Sequence, residues 1–386
     1  MSDQLTLNDV LLDIQAGKSF QTAEVLARSD ELGVLKVSAV TWSNFQPDEA
    51  KALNSEYMPD ASHRVRKGDL LISRANTKEF VGAVVLVNRD YPFRLLSDKT
   101  LRLVIDEERA CKEYLLFALR APKARRHIEH YATGTSDSMR NIAQGVITSV
   151  PIDLPSIHDQ RRIATRLKTQ LTEVETARQA ARVQLQETTR LADAIIFDSI
   201  KHSLSSLQTL GDVLEEVKKG IGSDWASYPV LGATRGGLAP AKEPPGKQAP
   251  KYKPAFPGTV FYNPMRILIG SIAFVDEDDI PGITSPDYVA LQGKEGIVDS
   301  RWFYHWLRSP LGERCILSLA RGAVRERMLF NRLAEGEIKL PNFADQARAS
   351  AALKELRPLR NAIEQKLSEI DLLPRKILAH AFDACA

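Results

Sequence analysis

Apolar residues recur at spacings of three and four through the middle of the chain, from His158 to Ile200, in a stretch without glycine or proline. This spacing predicts one apolar stripe along a helix whose other faces are charged. About 43 residues would make a rod roughly 64 Å long, and a stripe of that length needs an equally long partner. The stripe residues assigned to helix packing or partner docking are Ile163, Leu167, Leu171, Val174, Leu185 and Leu191.

The partner is predicted at the other end of the sequence, from Asp345 to Cys385. The heptad spacing of a two-helix seam returns there, and the seam residues are Leu353, Leu356, Ile363, Leu367, Ile370 and Ile377. Pro358 and Pro374 each lack a backbone donor, which predicts kinks or a break instead of a straight rod. The two segments are expected to pack as an antiparallel coiled coil.

The sequence repeats itself. The lead-in to the first long helix, Leu154–Gln160, matches Leu340–Gln346 at an offset of 186 residues, and Leu7–Val10 matches Leu210–Val213 at an offset of 203. The repeat predicts two similar heads alternating with two similar helices. The expected domains are a first head (1–154), a central long helix (155–202), a second head (203–340) and a distal long helix (341–386).

Each head has the pattern of a mixed α/β (α+β) domain. In the first, apolar strands follow Gly68 and Gly82, helical spacing begins at Lys112, and a polar loop is expected over Thr133–Asn141. In the second, the stretch from Pro240 to Pro257 is rich in proline and lysine and predicts an extended, positively charged loop. The frame therefore repeats, in a pseudo-two-fold arrangement, while loops that would face a ligand have diverged.

Composition sets modest bounds. The chain of 386 residues is long enough for two cores, and its net charge of +3 neither requires nor excludes a nucleic-acid partner. Three cysteines far apart in sequence fit a reducing compartment. No signal pattern or membrane-length apolar run is present, so a cytoplasmic protein with no membrane partner is expected.

Two similar heads on matched helices fit the local two-fold symmetry of duplex DNA. Heads with one frame and different loops would read two short sequences, and the helices would fix the distance between them. Arginine pairs well with guanine and asparagine with adenine. The candidate DNA contacts are Arg74, Asn76, Lys78, Thr135, Ser136, Arg140 and Asn141 in the first head, and Arg235, Lys251, Lys253, Arg266, Arg325, Arg327 and Asn331 in the second. The basic run Arg120–Arg126 is expected to touch phosphates or solvent.

Four segments carry a resemblance to a known family. They are Lys67–Ala75, Ile152–Ala164, Ala194–Asp198 and Ile377–Asp383. With the duplicated order of head and helix, they make the whole chain similar to the specificity subunit of type I restriction-modification systems. The second copy departs from the pattern at Val260–Pro264, where the Ser-Arg-Ala segment of the first copy has no match.

The resemblance implies a non-catalytic subunit that recognises a bipartite, asymmetric site in double-stranded DNA with an unspecified spacer. It further implies two adenine-methylating modification subunits, which use S-adenosylmethionine, and a restriction subunit that is an ATP-driven translocase and nuclease. S-adenosylmethionine, ATP and Mg²⁺ would bind those partners, and this chain would carry no cofactor. The long helices would supply the docking surface for the modification subunits.

Two other classes of function remain open from sequence. A stand-alone DNA-modifying enzyme would need a cofactor signature, and Asn263–Arg266 lacks the second proline and the aromatic residue of an adenine methyltransferase motif. His127–His130 lacks the spacing of a zinc helix, and Gly232–Gly237 lacks the end of a phosphate loop and predicts a simple turn. The other class is a coiled-coil scaffold whose heads bind protein.

Overall fold

The computed structural model describes residues 5–42, 44–53, 60–320 and 327–382. The chain divides into two compact units, residues 1–179 with 368–386 and residues 180–367. Each unit holds one globular head together with part of each long helix.

The first head is built on a four-stranded antiparallel sheet flanked by helices. Its elements are β1 Leu11–Ala16, β2 Thr22–Leu26, β3 Gly33–Leu35, β4 Ala50–Leu53, β5 Arg64–Val65, β6 Leu70–Ser73, β7 Ala75–Asn76, β8 Val84–Leu86, β9 Tyr91–Leu95, β10 Thr100–Ile105, α1 Lys112–Arg120, α2 Pro122–Tyr131, β11 Thr133–Ser136, β12 Met139–Asn141 and α3 Gln144–Thr148. The central sheet has the order β1-β10-β6-β8, a second sheet has the order β2-β4-β3-β9-β5, and a third has the order β11-β12-β7.

The second head follows the long helix α4, Ile157–Lys201. Its elements are β13 Ser206–Thr209, α5 Leu210–Val213, β14 Leu214–Glu216, β15 Leu231–Thr234, β16 Gly237–Pro240, β17 Lys253–Ala255, β18 Val260–Tyr262, β19 Ile272–Phe274, β20 Gly282–Thr284, β21 Val289–Gly293, α6 Ser300–Arg308, α7 Pro310–Leu319, α8 Phe330–Leu333 and β22 Glu337–Leu340. The long helix α9, Phe343–Phe382, comes next. The central sheet has the order β14-β21-β18-β19.

The predicted repeat is confirmed, because the two central sheets have the same strand order and direction. The same glycine turn precedes β6 in the first sheet and β18 in the second. Gly68 (φ 83°) and Gly258 (φ 88°) take a left-handed conformation in these turns, which favours glycine. The backbone N–H of Gly68 donates to Val87 at 2.9 Å, and that of Gly258 donates to Val275 at 2.9 Å. The helix pairs α1–α2 and α6–α7 also correspond, each with proline at the start of its second helix.

The central strands are buried on both faces, which explains their unbroken apolar runs. In β6, Leu70 and Ile72 face the core shared with α1 and α2, while Leu71 faces a second core against the five-stranded sheet. In β18, Val260 and Tyr262 face the helices and Phe261 faces the other side. What covers that other side differs: a five-stranded sheet in the first head, and two short strand pairs, β15-β16 and β17-β20, in the second. The two heads therefore diverge on this face of a shared frame.

The long helices pack antiparallel, as predicted. In the first unit, Leu167 of α4 shares a core with Leu378 and Phe382 of α9, so the early part of α4 meets the late part of α9. In the second unit, Ile196 of α4 shares a core with Leu353 of α9. Both cores also contain head residues, so each head packs on its helix segments through a shared apolar core.

Most of the assigned stripe residues lie on the buried face of their helix. Residues less than 10% exposed are Leu167, Val174, Leu353, Ile363 and Ile370. Partly buried residues are Ile163, Leu171, Leu185, Leu356, Leu367 and Ile377. Leu191 differs, because it is 48% exposed. One heptad after the buried Ala181 comes Thr188, which is 8% exposed and whose hydroxyl donates to the Leu185 carbonyl at 2.7 Å.

The break expected in the distal helix at Pro358 or Pro374 is absent, because α9 runs unbroken from Phe343 to Phe382. Pro358 lies on the exposed side of the helix, where water can satisfy the carbonyl that lacks its helical donor. Ile363 and Ile370, buried between the two prolines, hold that part of the helix by packing.

A fully buried glutamine ties the first head to the start of α4. The Gln160 side chain is 0% exposed, and its Oε1 accepts the backbone N–H of Cys111 at 2.8 Å. Its Nε2 donates to the carbonyls of Arg109 at 3.0 Å and Pro155 at 2.9 Å. One amide therefore satisfies three backbone groups at the junction of α1 and α4, and we call this arrangement the glutamine clamp.

The second unit repeats the clamp group for group. Gln346, also 0% exposed, accepts the backbone N–H of Asp299 at 2.9 Å. It donates to the carbonyls of Ile297 at 3.0 Å and Pro341 at 2.8 Å. Each head is thus attached to the first turns of the long helix that follows it, by the same three hydrogen bonds.

The second head has an additional ionic attachment to α9. Asp276, 3% exposed, pairs with Arg301 and lies 3.5 Å from Arg357 of α9, which also pairs with Asp279. Burial alone would raise the pKa of Asp276, but hydrogen bonds from Arg301 and from a backbone N–H bring it below its ordinary value. Arg301 also donates a hydrogen bond to the Ser350 hydroxyl of α9 at 3.1 Å.

The incoming and outgoing strands of each head lie side by side. In the first, the Leu7 N–H donates to Val150 at 2.8 Å and the Ile152 N–H donates to Leu5 at 3.0 Å. In the second, β13 pairs antiparallel with β22 along its whole length. Each head is therefore closed at its base by its own backbone.

Replacing either clamp glutamine should destabilise the protein. Gln160→Ala or Gln346→Ala leaves a buried N–H and buried carbonyls without partners, which should lower the free energy of unfolding by roughly 1–3 kcal/mol. Gln→Glu should cost more, because a carboxylate would face two carbonyl oxygens. Urea unfolding measures the change, with the exposed Gln170→Ala on α4 as the matched control. Equal stability of clamp and control variants would contradict this account.

Candidate nucleic-acid interface

The candidate contacts of the first head gather around one hairpin. The segment predicted as a polar loop, Thr133–Asn141, is instead the hairpin β11–β12, and β12 pairs with β7 through Arg140 opposite Asn76. Its polar sequence gave no indication of strands, because these strands form by backbone pairing and not by burial of alternate side chains. The Lys78 N–H donates to the Asp137 carbonyl at 2.9 Å and the Ile142 N–H to the Arg74 carbonyl at 3.0 Å. The candidates of this head therefore share one polar surface, except that the side chain of Thr135 is outside the described part.

Some of these side chains hold the hairpin itself. Arg140 donates to the Asp137 carboxylate at 2.6 Å and to the Gly134 carbonyl at 3.2 Å, and its hydrogen bond lowers the pKa of Asp137. Asn76 accepts the Thr77 N–H at 2.9 Å and donates to the Val37 carbonyl at 3.4 Å. The Ser136 hydroxyl lies 2.6 Å from that of Ser138.

Three candidates of the first head present exposed polar ends. Arg74, Lys78 and Asn141 are exposed, and their side chains have no hydrogen bond or ion pair within the part of the chain that the structure describes. A guanidinium and an ammonium from either side of β7, and an amide from β12, thus face solvent. This combination can bind phosphate through the charges and offer base-edge hydrogen bonds through the arginine and the amide.

The second head brings a corresponding segment to the same place in its frame. The Met328 N–H donates to the Pro264 carbonyl at 3.0 Å, as Ile142 does to Arg74 in the first head. Arg327 precedes Met328 as Asn141 precedes Ile142, so these two candidates occupy equivalent positions. Arg327 is exposed and lies 3.4 Å from Asp287.

The remaining candidates of the second head are spread over several elements. Arg235 is at the tip of the hairpin β15–β16, Arg266 precedes a single turn of 3-10 helix, Lys251 ends another, and Asn331 is on α8, and all four are exposed. Arg325 lies outside the described residues.

Lys253 serves the interior of the second head. Its side chain is 12% exposed, and its ammonium donates to the Tyr288 carbonyl at 2.7 Å and lies 3.9 Å from Glu216. Burial lowers the pKa of Lys253, while Glu216 opposes that shift. Lys253, one lysine of the positively charged stretch Pro240–Pro257, is therefore held inside the head and does not extend into solvent as the sequence predicts.

The expectation that the basic run Arg120–Arg126 touches phosphates or solvent is wrong for two of its arginines. Arg120 donates to the Val84 carbonyl at 2.7 and 3.1 Å, and burial lowers its pKa to about 10. Arg125 donates to the Val81 carbonyl at 2.6 Å, and its guanidinium lies 4.5 Å from the centre of the Trp42 ring. Both fasten α1 and α2 to the loop around β8.

The motifs weighed for catalysis have structural partners. His127 lies 3.1 Å from the Ser149 hydroxyl, and burial lowers its pKa. Asn263 accepts the Met265 N–H at 3.0 Å, which makes a local turn. Among the described residues no group of three or more histidine, cysteine or acidic side chains is placed to hold a metal ion. Nor does any helix among them have the length and apolarity to span a bilayer.

Comparison with known proteins supports the resemblance drawn from sequence. No protein-family model matches the chain. The specificity subunit of the type I restriction enzyme EcoEI from Escherichia coli is 27% identical to it over 163 residues. That match covers 42% of this chain and 27% of the relative, so only about a quarter of the relative's length is matched.

Solved structures extend the likeness to the fold. A chain from a structure on complex assembly and conformational transition of the type I R-M system is similar over 98% of this chain and 96% of its own, with a TM-score of 0.65 and 17% identity. The HsdS subunit from Thermoanaerobacter tengcongensis is similar over 98% and 95%, with a TM-score of 0.49 and 17% identity. The first of these shows a shared fold over nearly the whole chain.

Substitution of the structural Arg120 and of the exposed Arg74 should have different effects on the free energy of unfolding. Arg120→Ala leaves the buried Val84 carbonyl without this donor, which should lower the free energy of unfolding by roughly 1–3 kcal/mol. Arg74→Ala removes an exposed side chain and should change it by less than about 0.5 kcal/mol. Thermal or urea unfolding of the two variants decides the matter. A destabilised Arg74→Ala variant would show that this side chain has a structural role.

Proposed function

We propose that this chain is the specificity subunit of a type I restriction-modification system and recognises the DNA sequence on which that system acts. One observation carries the proposal: two heads with the same central sheet and the same glutamine clamp present different polar surfaces from equivalent positions. A duplicated frame with unlike surfaces is what two unlike recognition tasks require. The similarity to the EcoEI specificity subunit supports DNA as the target of both heads.

The recognised site is proposed to be bipartite and asymmetric. The first head would read one part with the surface formed by β7 and the hairpin β11–β12, through Arg74 and Asn141. The second would read the other part with residues near Pro264 and β15–β16. Exposed lysines such as Lys78 and Lys251 would contact phosphates, which fix the position of a protein on the duplex without reading sequence. The remaining candidates, Thr135, Ser136, Arg140, Arg266, Arg325, Arg327 and Asn331, would contribute to the same surfaces.

The proposed partners are two modification subunits and a restriction subunit. Large apolar side chains stay exposed on the long helices, away from their buried face: in the second unit these are Val183, Leu191 and Phe197 of α4 and Leu359 of α9, each at least 44% exposed. Such residues on an otherwise charged helix suit docking by helices of another protein. The modification subunits would bind there and carry S-adenosylmethionine, and ATP and Mg²⁺ would bind the restriction subunit. In this assignment the chain itself catalyses nothing.

Mapping methylated adenines in a bacterial genome tests the proposal. Co-expression of the chain with the modification subunits should produce methylated adenines in two short specified blocks separated by unspecified base pairs. The controls are the chain alone and the modification subunits alone, and both should leave the genome without that mark. Methylation by the chain alone would favour a stand-alone enzyme. Failure of the full set to produce any bipartite mark would favour a protein scaffold.

Exchange of one head should change one half of the site. If residues 1–154 are replaced by the corresponding head of another specificity subunit, the methylated motif should change in one block and keep the other. The reason is that each head has its own core, clamp and closed base. The same genome-wide methylation map gives the result, with the unmodified chain as reference. Changes in both blocks would contradict independent reading by the two heads.

The lengths of α4 and α9 are proposed to set the spacer. Arg178 of α4 pairs with Asp371 of α9 at 2.7 Å, so residues 175–181 and 368–374 include facing positions one heptad long. Removing both segments keeps the seam in phase and should shorten the spacer by about three base pairs, given rises of roughly 1.5 Å per residue and 3.4 Å per base pair. An active variant with an unchanged spacer would assign the distance to the partner subunits instead.

A further inference from the structure

Among the described residues of the first head, no hairpin with a two-residue turn lies between β1 and β6, whereas β15–β16 lies between β14 and β18 of the second. Its strands pair in register from Leu231 opposite Pro240 to Thr234 opposite Gly237, so Arg235 and Gly236 form a two-residue turn. The Thr234 hydroxyl closes the turn by donating to the Gly237 carbonyl at 3.1 Å. The result is a narrow two-stranded ribbon with an exposed arginine at its tip.

A single arginine of α6 fixes the tip to the central sheet. Arg308 donates through Nη2 to the carbonyl of Arg235 at 2.8 Å and through Nη1 to that of Ile272 in β19 at 2.9 Å. Its guanidinium lies 5.5 Å from the centre of the Tyr304 ring, which stacks on Phe274. The planar fork of arginine carries two separate nitrogens, each of which reaches one carbonyl, whereas a lysine has a single ammonium nitrogen without a fixed plane.

A second bond fixes the ribbon lower down. The buried Ser271 hydroxyl, next to β19, donates to the Ala233 carbonyl of β15 at 2.7 Å. The ribbon is therefore held at two levels, at its tip and along its first strand. These hydrogen bonds fix the direction of the ribbon relative to the central sheet.

The repeat shows which part of this arrangement is new. Arg120 of the first head corresponds to Arg308, and it donates to the Val84 carbonyl, which corresponds to Ile272. The bond between helix and sheet is thus common to both heads. With the same side chain, Arg308 also donates to the tip of β15–β16 in the second head.

The side chain of Arg235 is left available for a ligand. It is exposed, and among the described residues its guanidinium has no hydrogen bond or ion pair. Its stem passes over Gly270, where a Cβ would lie 3.8 Å from the Arg235 Cγ. The major groove of DNA admits a two-stranded ribbon, and arginine donates two hydrogen bonds to O6 and N7 of guanine.

We propose that Arg235 reads a guanine in the part of the site recognised by the second head, and that Arg308 is the positioning residue that holds the ribbon tip for this contact. The inference rests on the proposed function and adds to it one reading residue, one base and one support. It also separates Arg235 from the other exposed cations of this head, which need only contact phosphates.

Selection of DNA from a random-sequence duplex library by the full-length chain tests the inference. Arg235→Ala and Arg235→Lys should each lower the preference for guanine at one position by roughly 5- to 150-fold, which corresponds to the loss of one good bidentate contact. All other specified positions should keep their preferences. Arg314→Ala, which removes an exposed arginine of α7 from the same head, is the matched control and should leave every preference unchanged.

Arg308→Lys tests the positioning role. It should weaken the guanine preference at the same position while the chain keeps its melting temperature to within a few degrees and retains the other half of the motif. A lower melting temperature with an intact guanine preference would leave Arg308 only a structural role and overturn this part.

The remaining outcomes separate the two proposals. If the unmodified chain selects a motif and Arg235→Ala selects the same one, the inference fails and the proposed function stands. If Arg235→Ala weakens retention of all sequences equally, with the salt dependence reduced by about one phosphate contact, Arg235 binds the backbone and base reading is overturned. If the unmodified chain selects no sequence, both proposals fail.

Discussion

The structure depends on one buried amide at the start of each long helix. Gln160 and Gln346 satisfy three backbone groups each, at the point where the chain leaves the head and enters the helix. A buried N–H or C=O without a partner destabilises the folded state by about as much free energy as a good contact contributes. Glutamine is suited to this junction, because its one amide carries both donor and acceptor. The orientation of each head on its helix follows from this geometry, and with it the direction in which the head presents its polar surface.

The two heads show how a recognition surface changes without a change of frame. The central sheet is buried on both faces in each head, so its strands tolerate little variation. Variation is confined to what covers one face of the sheet and to the segments beside β7 and Pro264. Arg120 and Arg308 both fasten a helix to the central sheet, and Arg308 also donates to the ribbon β15–β16.

Much of the fold could be predicted from sequence, because the signals were local or repeated. Apolar spacing gave the long helices, and the recurrence of Leu-Pro and Asp-Gln gave the duplication that contains both clamps. Long-range contacts gave no such signal. Arg120 and Arg125 bind carbonyls 36 and 44 residues away, so a basic run that looked solvated is in fact structural. The hairpin β11–β12 was not predicted, because its strands are polar. The helix α9 continues through Pro358, because packing on both sides of this residue outweighs one lost hydrogen bond.

The paired strands at the base of each head have an evolutionary consequence. Where the chain enters and leaves a head at neighbouring backbone positions, an entire head corresponds to one continuous stretch of gene with two joints that lie together in space. Recombination at those joints would import a new reading surface and leave the helices, with any assembly contacts they carry, as they were. Under the proposed function, one such exchange would alter the target preference and leave the surfaces proposed for partner docking unchanged.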